Sequence, residues 1–221
     1  KAKKFIVYFQ SFTNTYAPLS TLKSLYEKAL SFDDVIGLSI GTRTDCVTDE
    51  ILDFLYEKSK QKEIWIEYGI QSFFQATLDK INRADDVENM RYWIRRTKEK
   101  GLNVCGHLIY GLPDENQEMM LETFKQTIDL KVDSIKFHPL YVVKNTLLTN
   151  EFKKGRFTPI SEELYIDTVV KSIINLPQNV SVQRVTAGID DDTLLSPLWC
   201  KNKHQQMKKI RVTLEEKRFI Y

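Results

Sequence analysis

IWIEYGIQSFFQATLDKINR, residues 64–83, is typical of a buried strand followed by a turn and a short helical segment. Successive side chains of a strand point to opposite faces, so the strand separates into two sets. One set is apolar and suits packing against helices: Ile64, Ile66, Tyr68 and Ile70. The other suits a face that opens toward a ligand: Trp65, Glu67, Gly69 and Gln71. The stretch therefore predicts a strand with one packing face and one face that carries a site.

Apolar strand-like runs alternate with amphipathic stretches along the whole chain. The strand-like runs lie at 4–10, 34–41, 62–70, 102–110, 133–141 and 180–185. Between them apolar residues recur at the i, i+3, i+4 spacing of helices. Helix starts are predicted at Thr48-Asp49, Asp85-Asp86 and Ser161-Glu162-Glu163, and a helix stop at Lys100-Gly101. This repetition predicts an α/β protein whose parallel strands are joined by right-handed crossovers.

Two sheet architectures fit this repetition, an open doubly wound sheet and a closed or partial barrel. In both, ligands gather at the carboxyl ends of the strands. The segment 186–221 interrupts the repetition with an acidic run at 190–192, a proline at 197 and a basic helix-like stretch. We therefore expect a core over residues 1–185 and a C-terminal cap over residues 186–221.

Composition and cysteine usage narrow the class of protein. Hydrophobic residues make up 42% and charged residues 28% of the 221 residues, which is ordinary for a soluble globular domain. The net charge of +2 argues against strong electrostatic binding to nucleic acid. Cys46, Cys105 and Cys200 form no CxxC pair, which argues against a zinc ribbon and a disulfide framework. We therefore expect a cytoplasmic protein without a membrane helix and with no metal ligands in this chain.

Polar side chains stand on one face of three successive strand-like runs. They are Glu67, Gln71, His107, Lys136 and His138. Burying such groups is costly unless they are paired, so one interpretation is a structural network with a Glu67–Lys136 ion pair. The other is a site, which needs aligned polar positions on consecutive strands. In that case Glu67, Lys136 and His138 are the candidate catalytic residues.

Several motifs, in their order and spacing from about residue 4 to 200, resemble radical S-adenosylmethionine (SAM) enzymes. Gly69-Ile-Gln-Ser-Phe73, Asp79-Lys-Ile-Asn-Arg83 and His107-Leu-Ile-Tyr-Gly-Leu-Pro113 resemble oxygen-independent coproporphyrinogen oxidase and the elongator radical domain. A finer pattern resembles one Fe–S oxidoreductase-like subfamily: Tyr8 to Ala17, Gly41 to Asp45, Phe137 to Leu140 and Pro197 to Trp199.

This resemblance implies a partial TIM-like (β/α)6 barrel that holds SAM beside a [4Fe–4S] cluster and generates a 5′-deoxyadenosyl radical. The cluster is implied to sit in a CxxxCxxC loop after the first strand, and that motif is absent from the sequence. The expectation is therefore that the first strand and the cluster loop lie upstream of residue 1, and that the chain as given is inactive. A reductant such as flavodoxin or ferredoxin is implied, and the substrate stays open among small molecules, RNA and proteins.

The resemblance also implies SAM-contacting positions. Gln10 and Ser11 end the strand whose turn binds the SAM amino group in the wider superfamily. Gln71 and Arg83 match a Gln and an Arg that contact SAM, and the planar Arg fork suits the methionine carboxylate. Relatives often have a SAM-contacting glutamate where this chain has Gly41, so a substitute for it is expected in the following turn. His107 is expected near the ribose of SAM. The candidate substitutes are Thr42, Arg43 and Asp45.

Two alternatives without radical chemistry remain at this stage. A conventional iron-free barrel enzyme would use Lys136 as nucleophile or proton carrier, with Glu67 and His138 as acid/base partners. A non-catalytic scaffold would dock a partner through aromatic residues near the C-terminus. Those residues are Trp199, Phe219 and Tyr221.

Overall fold

The computed structural model describes residues 2–217. Strands are β1 (Phe5–Phe9), β2 (Val35–Thr42), β3 (Glu63–Gln71), β4 (Asn103–Tyr110), β5 (Ser134–Pro139), β6 (Val142–Val143), β7 (Ser181–Arg184) and β8 (Leu194–Ser196). Helices are α1 (Leu19–Leu30), α2 (Asp49–Ser59), α3 (Gln75–Lys80), α4 (Val87–Glu99), α5 (Gln117–Asp129), α6 (Leu147–Lys153), α7 (Glu162–Ile174) and α8 (Lys203–Glu216). Short 3₁₀ turns lie at Thr44–Cys46 and Leu198–Lys201.

Six strands form one parallel sheet in the order β1-β2-β3-β4-β5-β7. The order follows the chain without reversing, whereas a doubly wound sheet reverses at a switch point. This confirms the partial TIM-like (β/α)6 barrel, and the six strands are those predicted from the sequence. The register places Tyr8 beside Ser39 and Gly41 beside Glu67. Because paired residues of neighbouring strands point to the same face, the register decides which polar groups meet.

The chain divides into two compact units. The first unit comprises Lys1–Ile70, Asp85–His107 and Asp129–Ser134, and the second comprises Gln71–Ala84, Leu108–Ile128 and Ile135–Tyr221.

In the first unit, the alternation predicted for β3 is observed. Ile64, Ile66, Tyr68 and Ile70 are each at most 1% exposed. The Tyr68 hydroxyl is satisfied inside this packing by the Thr97 hydroxyl of α4, at 2.8 Å. The opposite face of β3 is more open, because Trp65 and Gly69 are half-buried. The strand therefore has the packing face and the open face that its sequence indicates.

In the second unit, the core is aromatic and the C-terminal part packs onto it. The ring of Tyr165 lies 6.3 Å from that of Tyr110 and 5.3 Å from that of Trp199. The Trp199 indole also donates to the Ile160 carbonyl, at 3.3 Å. Trp199 is thus a packing residue, while Phe219 and Tyr221, which the scaffold hypothesis also used, lie outside the described residues.

Helix termini follow the predicted signals. The side chains of Thr48, Asp86 and Ser161 each accept a hydrogen bond from the backbone N–H three residues later. Helix α4 ends at Glu99, and Gly101, two residues later, has a φ of 81°. None of the helices within residues 2–217 is long and apolar enough to cross a membrane.

Candidate functional site

The first unit carries a polar network centred on Glu67, which is 2% exposed. Its Oε2 accepts from the Tyr8 hydroxyl at 2.9 Å and lies 2.6 Å from His107 Nε2. Its Oε1 accepts from the Ser39 hydroxyl. Four successive strands, β1 to β4, each contribute one of these side chains to the same face of the sheet.

The network explains how a carboxylate is tolerated inside a strand. An isolated buried charge is very costly, whereas charge-assisted hydrogen bonds stabilise it. Tyr8 and Ser39 donate from one side, and His107, whose side chain is 20% exposed, connects the carboxylate to the open face. The buried Glu67 carboxylate is therefore linked by a hydrogen bond to a half-buried histidine on that face.

The turn after β2 holds the candidate substitutes for the missing glutamate. Arg43 Nε and Nη2 donate to the two Asp45 oxygens at 2.7 and 2.5 Å, and this bond raises the pKa of the Arg43 guanidinium. Thr42 is buried, with its hydroxyl 2.5 Å from that of Thr15. Arg43 and Asp45 thus stand as a bidentate pair near the surface, while the Thr42 hydroxyl holds the turn together.

The turn after β1 is held against β2 by Asn14. Its side-chain amide donates to the carbonyls of Phe9 and Gly41, at 3.0 and 2.9 Å. A Cβ on Gly41 would stand 3.2 Å from the Phe9 oxygen, so glycine permits this close approach. Gln10 and Ser11 follow directly and are exposed, where a ligand can reach them.

In the second unit, Gln71 and Arg83, which are both predicted to contact SAM, form a hydrogen-bonded pair. Arg83 Nε donates to Gln71 Oε1 at 2.5 Å. Gln71 closes β3 with a φ of 62°, a left-handed conformation that is uncommon outside glycine. This conformation turns the chain at the strand end and leaves the Gln71 side chain half-buried.

Arg83 is placed by the end of helix α3. The N–H of Arg83 bonds to the Leu78 carbonyl at 2.9 Å, and that of Asn82 to the Asp79 carbonyl at 3.1 Å. With Asn82 at a φ of 52°, this is a Schellman motif, and Arg83 is the first residue beyond its left-handed position. Ala84 follows at a φ of 50°. A precise backbone turn therefore sets the position of the guanidinium.

Glu115 is a carboxylate of the second unit that the sequence did not single out. It accepts a hydrogen bond from Ser72, the residue after Gln71. Desolvation by burial raises the pKa of Glu115 above its ordinary value, although hydroxyl hydrogen bonds from Ser72 and Thr77 act in the opposite direction. The signal available in the sequence was its position in the Gly111-Leu-Pro-Asp-Glu turn, where any of several polar residues was a candidate.

Lys136 and His138 lie on β5, in the second unit. Lys136 is buried, with 8% exposure. His138 Nδ1 lies 2.7 Å from the Pro139 carbonyl, and its ring lies 5.0 Å from that of Tyr141. Their acid/base roles stay a prediction.

The structure brings the predicted residues together in three groups. Glu67 joins His107, Arg43 joins Asp45, and Gln71 joins Arg83. Sequence reasoning missed Tyr8, Ser39 and Asn14 as members of these sites. Tyr8 and Ser39 resemble ordinary strand residues until the strand register is known.

Two family models match most of the chain. The model of the Radical SAM superfamily matches residues 1–127, and that of the Radical_SAM C-terminal domain matches residues 132–216. Protein YhcC of Escherichia coli is 38% identical over 217 residues, covering 98% of this chain and 70% of that protein.

Two solved structures share the fold. Elp3 of the archaeon Methanocaldococcus infernus, with residues 1–46 deleted, aligns with a TM-score of 0.79 and 21% identity over 99% of this chain. The chain spans 55% of that structure. Coproporphyrinogen III oxidase (HemN) of Escherichia coli, described as a radical SAM enzyme, aligns with a TM-score of 0.55 and 21% identity, covering 76% of this chain and 38% of that one.

Proposed function

The chain belongs to the radical SAM superfamily, and we propose that it is the SAM-binding core of a radical SAM enzyme. The proposal assigns SAM recognition to the Gln71–Arg83 pair in the second unit. It assigns acid/base work on the open face of the first unit to Glu67 and His107. The proposed partners are SAM, a substrate of undefined class and a one-electron reductant such as flavodoxin or ferredoxin, in the cytoplasm.

The observation that carries the proposal is the hydrogen bond between Arg83 and Gln71 at the end of β3. An Arg guanidinium has five N–H donors in a planar fork, and the bond to Gln71 uses the Nε–H. The amide oxygen thereby fixes the plane of the guanidinium. A planar, oriented cation binds a carboxylate in two places, and SAM carries one on its methionine moiety.

The residues of this chain fit SAM but do not fit the iron–sulfur cluster. A [4Fe–4S] cluster is held by several Cys thiolates. Among the described residues, the one group of potential ligands that lie close together contains a single cysteine, Cys105. We therefore assign no cluster ligand to Cys46, Cys105 or Cys200 and expect the 221-residue chain alone not to cleave SAM.

The family's chemistry, a 5′-deoxyadenosyl radical made from SAM at the cluster, is the cofactors' own. The work of this chain is to bind SAM, to orient it and to hold protons at defined atoms. Arg83 and Gln71 supply the cation and amide that orient the carboxylate. Glu67 Oε2, shared between Tyr8 and His107, is the atom at which a proton is held or released.

The test is anaerobic reconstitution of the full-length gene product with iron and sulfide, followed by reduction in the presence of SAM. We expect thiolate–iron absorption and release of 5′-deoxyadenosine. A protein that holds its cluster and binds SAM but releases none under reducing conditions would overturn the proposal. In the iron-free alternative, borohydride instead traps a carbonyl substrate on Lys136, and activity is insensitive to oxygen.

A further inference from the structure

Three potential metal ligands meet in the first unit, apart from the Gln71–Arg83 pair. They are the Glu67 carboxylate on β3 and the Cys105 thiol and His107 imidazole on β4. One ligand atom of each lies within 4.8 Å of the other two. Cys105 is 0% exposed and Glu67 is 2% exposed. Cys105 and His107 are two residues apart on one strand, so their side chains point to the same face.

This donor set matches the preference of a borderline-soft divalent ion. Zinc is bound by thiolate, imidazole and carboxylate in tetrahedral geometry, and catalytic zinc sites use three protein ligands with a fourth position open. The His107 side chain is 20% exposed, so one member of the ligand set reaches the open face. Hard ions such as Mg²⁺ prefer all-oxygen sites, so the thiol selects against them.

The carboxylate is already held in place by groups outside the ligand set. Tyr8 donates to Glu67 Oε2 at 2.9 Å, and Ser39 donates to Oε1. Such supporting hydrogen bonds orient metal ligands and tune their basicity. His107 Nε2 lies 2.6 Å from Glu67 Oε2, so a hydrogen bond joins the two groups. These atoms would have to move apart to bind one ion, because each ligand atom of a tetrahedral zinc site lies about 2.0–2.2 Å from the metal.

We propose that Glu67, Cys105 and His107 bind one divalent metal ion of the Zn²⁺ type, with its fourth position open to water or to an oxygen or nitrogen of the substrate. Binding releases the thiol proton of Cys105 to solvent, and the proton between His107 and Glu67 leaves the Nε2–Oε2 contact. The site needs neither SAM nor the iron–sulfur cluster. It replaces the acid/base role proposed above for Glu67 and His107, which then applies to the metal-free protein alone.

The test is titration of the 221-residue chain with Co²⁺, which reports ligand type through its absorption. We expect one Co²⁺ per chain, with a sulfur-to-cobalt charge-transfer band that Zn²⁺ abolishes. Cys105→Ser removes the band, and His107→Gln, which retains a hydrogen-bonding group, removes saturable binding. Tyr8→Phe keeps all three ligands but weakens affinity by about tenfold, as loss of a supporting hydrogen bond does.

Cys46→Ser is the matched control, because it removes a thiol that is not part of the ligand set. The Cys46 thiol is half-buried and lies 3.5 Å from an Asp45 oxygen. We expect it to leave the band unchanged. A band that survives Cys105→Ser and disappears in Cys46→Ser overturns the proposal, as does saturation without a sulfur band.

Metal content of the full-length product covers the case in which a variant chain does not fold. After cluster assembly, we expect one zinc per wild-type protein and none in His107→Gln, with the iron content of the two proteins equal. Equal zinc in both proteins, or no zinc in a wild-type protein incubated with it, contradicts the site. These readouts do not depend on SAM cleavage, so failure of the metal site and failure of the proposed function are distinguishable.

Discussion

Arg83 lies between two residues with left-handed backbone conformations. Asn82 and Ala84 have φ values of 52° and 50°, and Gln71, which accepts from Arg83, has a φ of 62°. Left-handed backbone in residues other than glycine is costly and clusters at functional sites. Asn accepts this conformation more readily than Ala does, so the strain is concentrated at Gln71 and Ala84.

Replacing Arg83 or Gln71 by Ala is expected to weaken SAM binding to the reconstituted full-length protein. The net loss of a charge-assisted hydrogen bond is roughly 1.5–3 kcal/mol, which corresponds to about 10- to 150-fold in Kd. Isothermal titration with SAM measures the change. Arg83→Lys should recover part of the affinity at most, because an ammonium lacks the planar fork.

The control for this series is Arg95→Ala on the exposed side of α4, which removes the same charge from the surface. It should leave SAM affinity within the error of the wild-type value. Wild-type affinity in both Arg83→Ala and Gln71→Ala would refute their assignment, whatever the activity of the enzyme.

For single residues, the sequence predicted which polar side chains belong to the site better than it predicted their hydrogen-bond partners. Alternation along β3 was enough to place Glu67 and Gln71 on the open face. The bonds from Tyr8 and Ser39 to Glu67 depend on the register of β1, β2 and β3, which an isolated sequence does not specify. For the same reason, no metal ligand was expected in this chain, although the Cys105 thiol is close to Glu67 and His107.

At the scale of the element, strand and helix ends were the most predictable features, because capping is local chemistry. Thr48, Asp86 and Ser161 cap their helices as their residue types indicate. The residues that each helix buries were predicted less accurately. Leu25 of α1 and Tyr56 of α2 belong to the apolar i, i+3, i+4 repeats of the sequence, and yet they are 50% and 39% exposed. The helical period gives a direction, but the neighbouring element decides how wide the buried stripe is.

Three glycines follow the ends of helices or strands, and replacing them by alanine distinguishes the cost of left-handed backbone from the cost of a side-chain clash. Gly101 and Gly155 have φ values of 81° and 69°, and a Cβ there meets nothing closer than 3.8 Å. Gly111 has a φ of 88°, and its Cβ would stand 2.7 Å from the Ile160 side chain. Gly101→Ala and Gly155→Ala should each cost about 1–2 kcal/mol of unfolding free energy, the cost of left-handed backbone.

Gly111→Ala should cost about 1–3 kcal/mol more, because Ile160 must also be displaced. Urea denaturation of the three variants measures the order. Equal destabilisation at Gly111 and Gly155 would show that the packing beside Ile160 yields without cost.

At the scale of the whole molecule, stability depends on pH wherever folding changes a pKa. Burial raises the pKa of Glu115 above its unfolded value of about 4.3. The folded state therefore favours the protonated form of Glu115. Its contribution to the free energy of unfolding is complete below the unfolded pKa and is lost as the pH rises through the folded pKa.

Glu115→Gln should therefore improve stability relative to wild type more at pH 7 than at pH 4. The amide keeps a group that accepts from Ser72, and it removes the desolvated charge. Unfolding free energies at the two pH values measure the difference. Exposed Glu118→Gln on α5 is the matched control, with the same small effect at both. If Glu115→Gln stabilised the protein more at pH 4 than at pH 7, the pKa of Glu115 would be lowered by folding, contrary to this prediction.

The order of the sheet was the part of the molecule that the sequence left open between two architectures. Strand–helix repetition fits both a doubly wound sheet and a barrel, and the family motifs favoured the barrel. The observed order runs with the chain from β1 to β5 and then to β7, without a switch point. Order is a long-range property that depends on which hydrophobic faces meet, and local periodicity does not specify it.

The segment between Gln71 and Arg83 is fixed at both ends, by a strand end and by the Schellman motif of α3. Insertion of one residue into α3 turns everything after it by about 100° and moves it by about 1.5 Å. That shift takes the guanidinium away from the Gln71 amide, whereas exchanges on the exposed side of α3 leave it in place. The length of this segment, more than its composition, is therefore expected to be invariant among relatives that keep the pair. A gap between the two positions in an alignment would identify relatives that recognise their cofactor in another way.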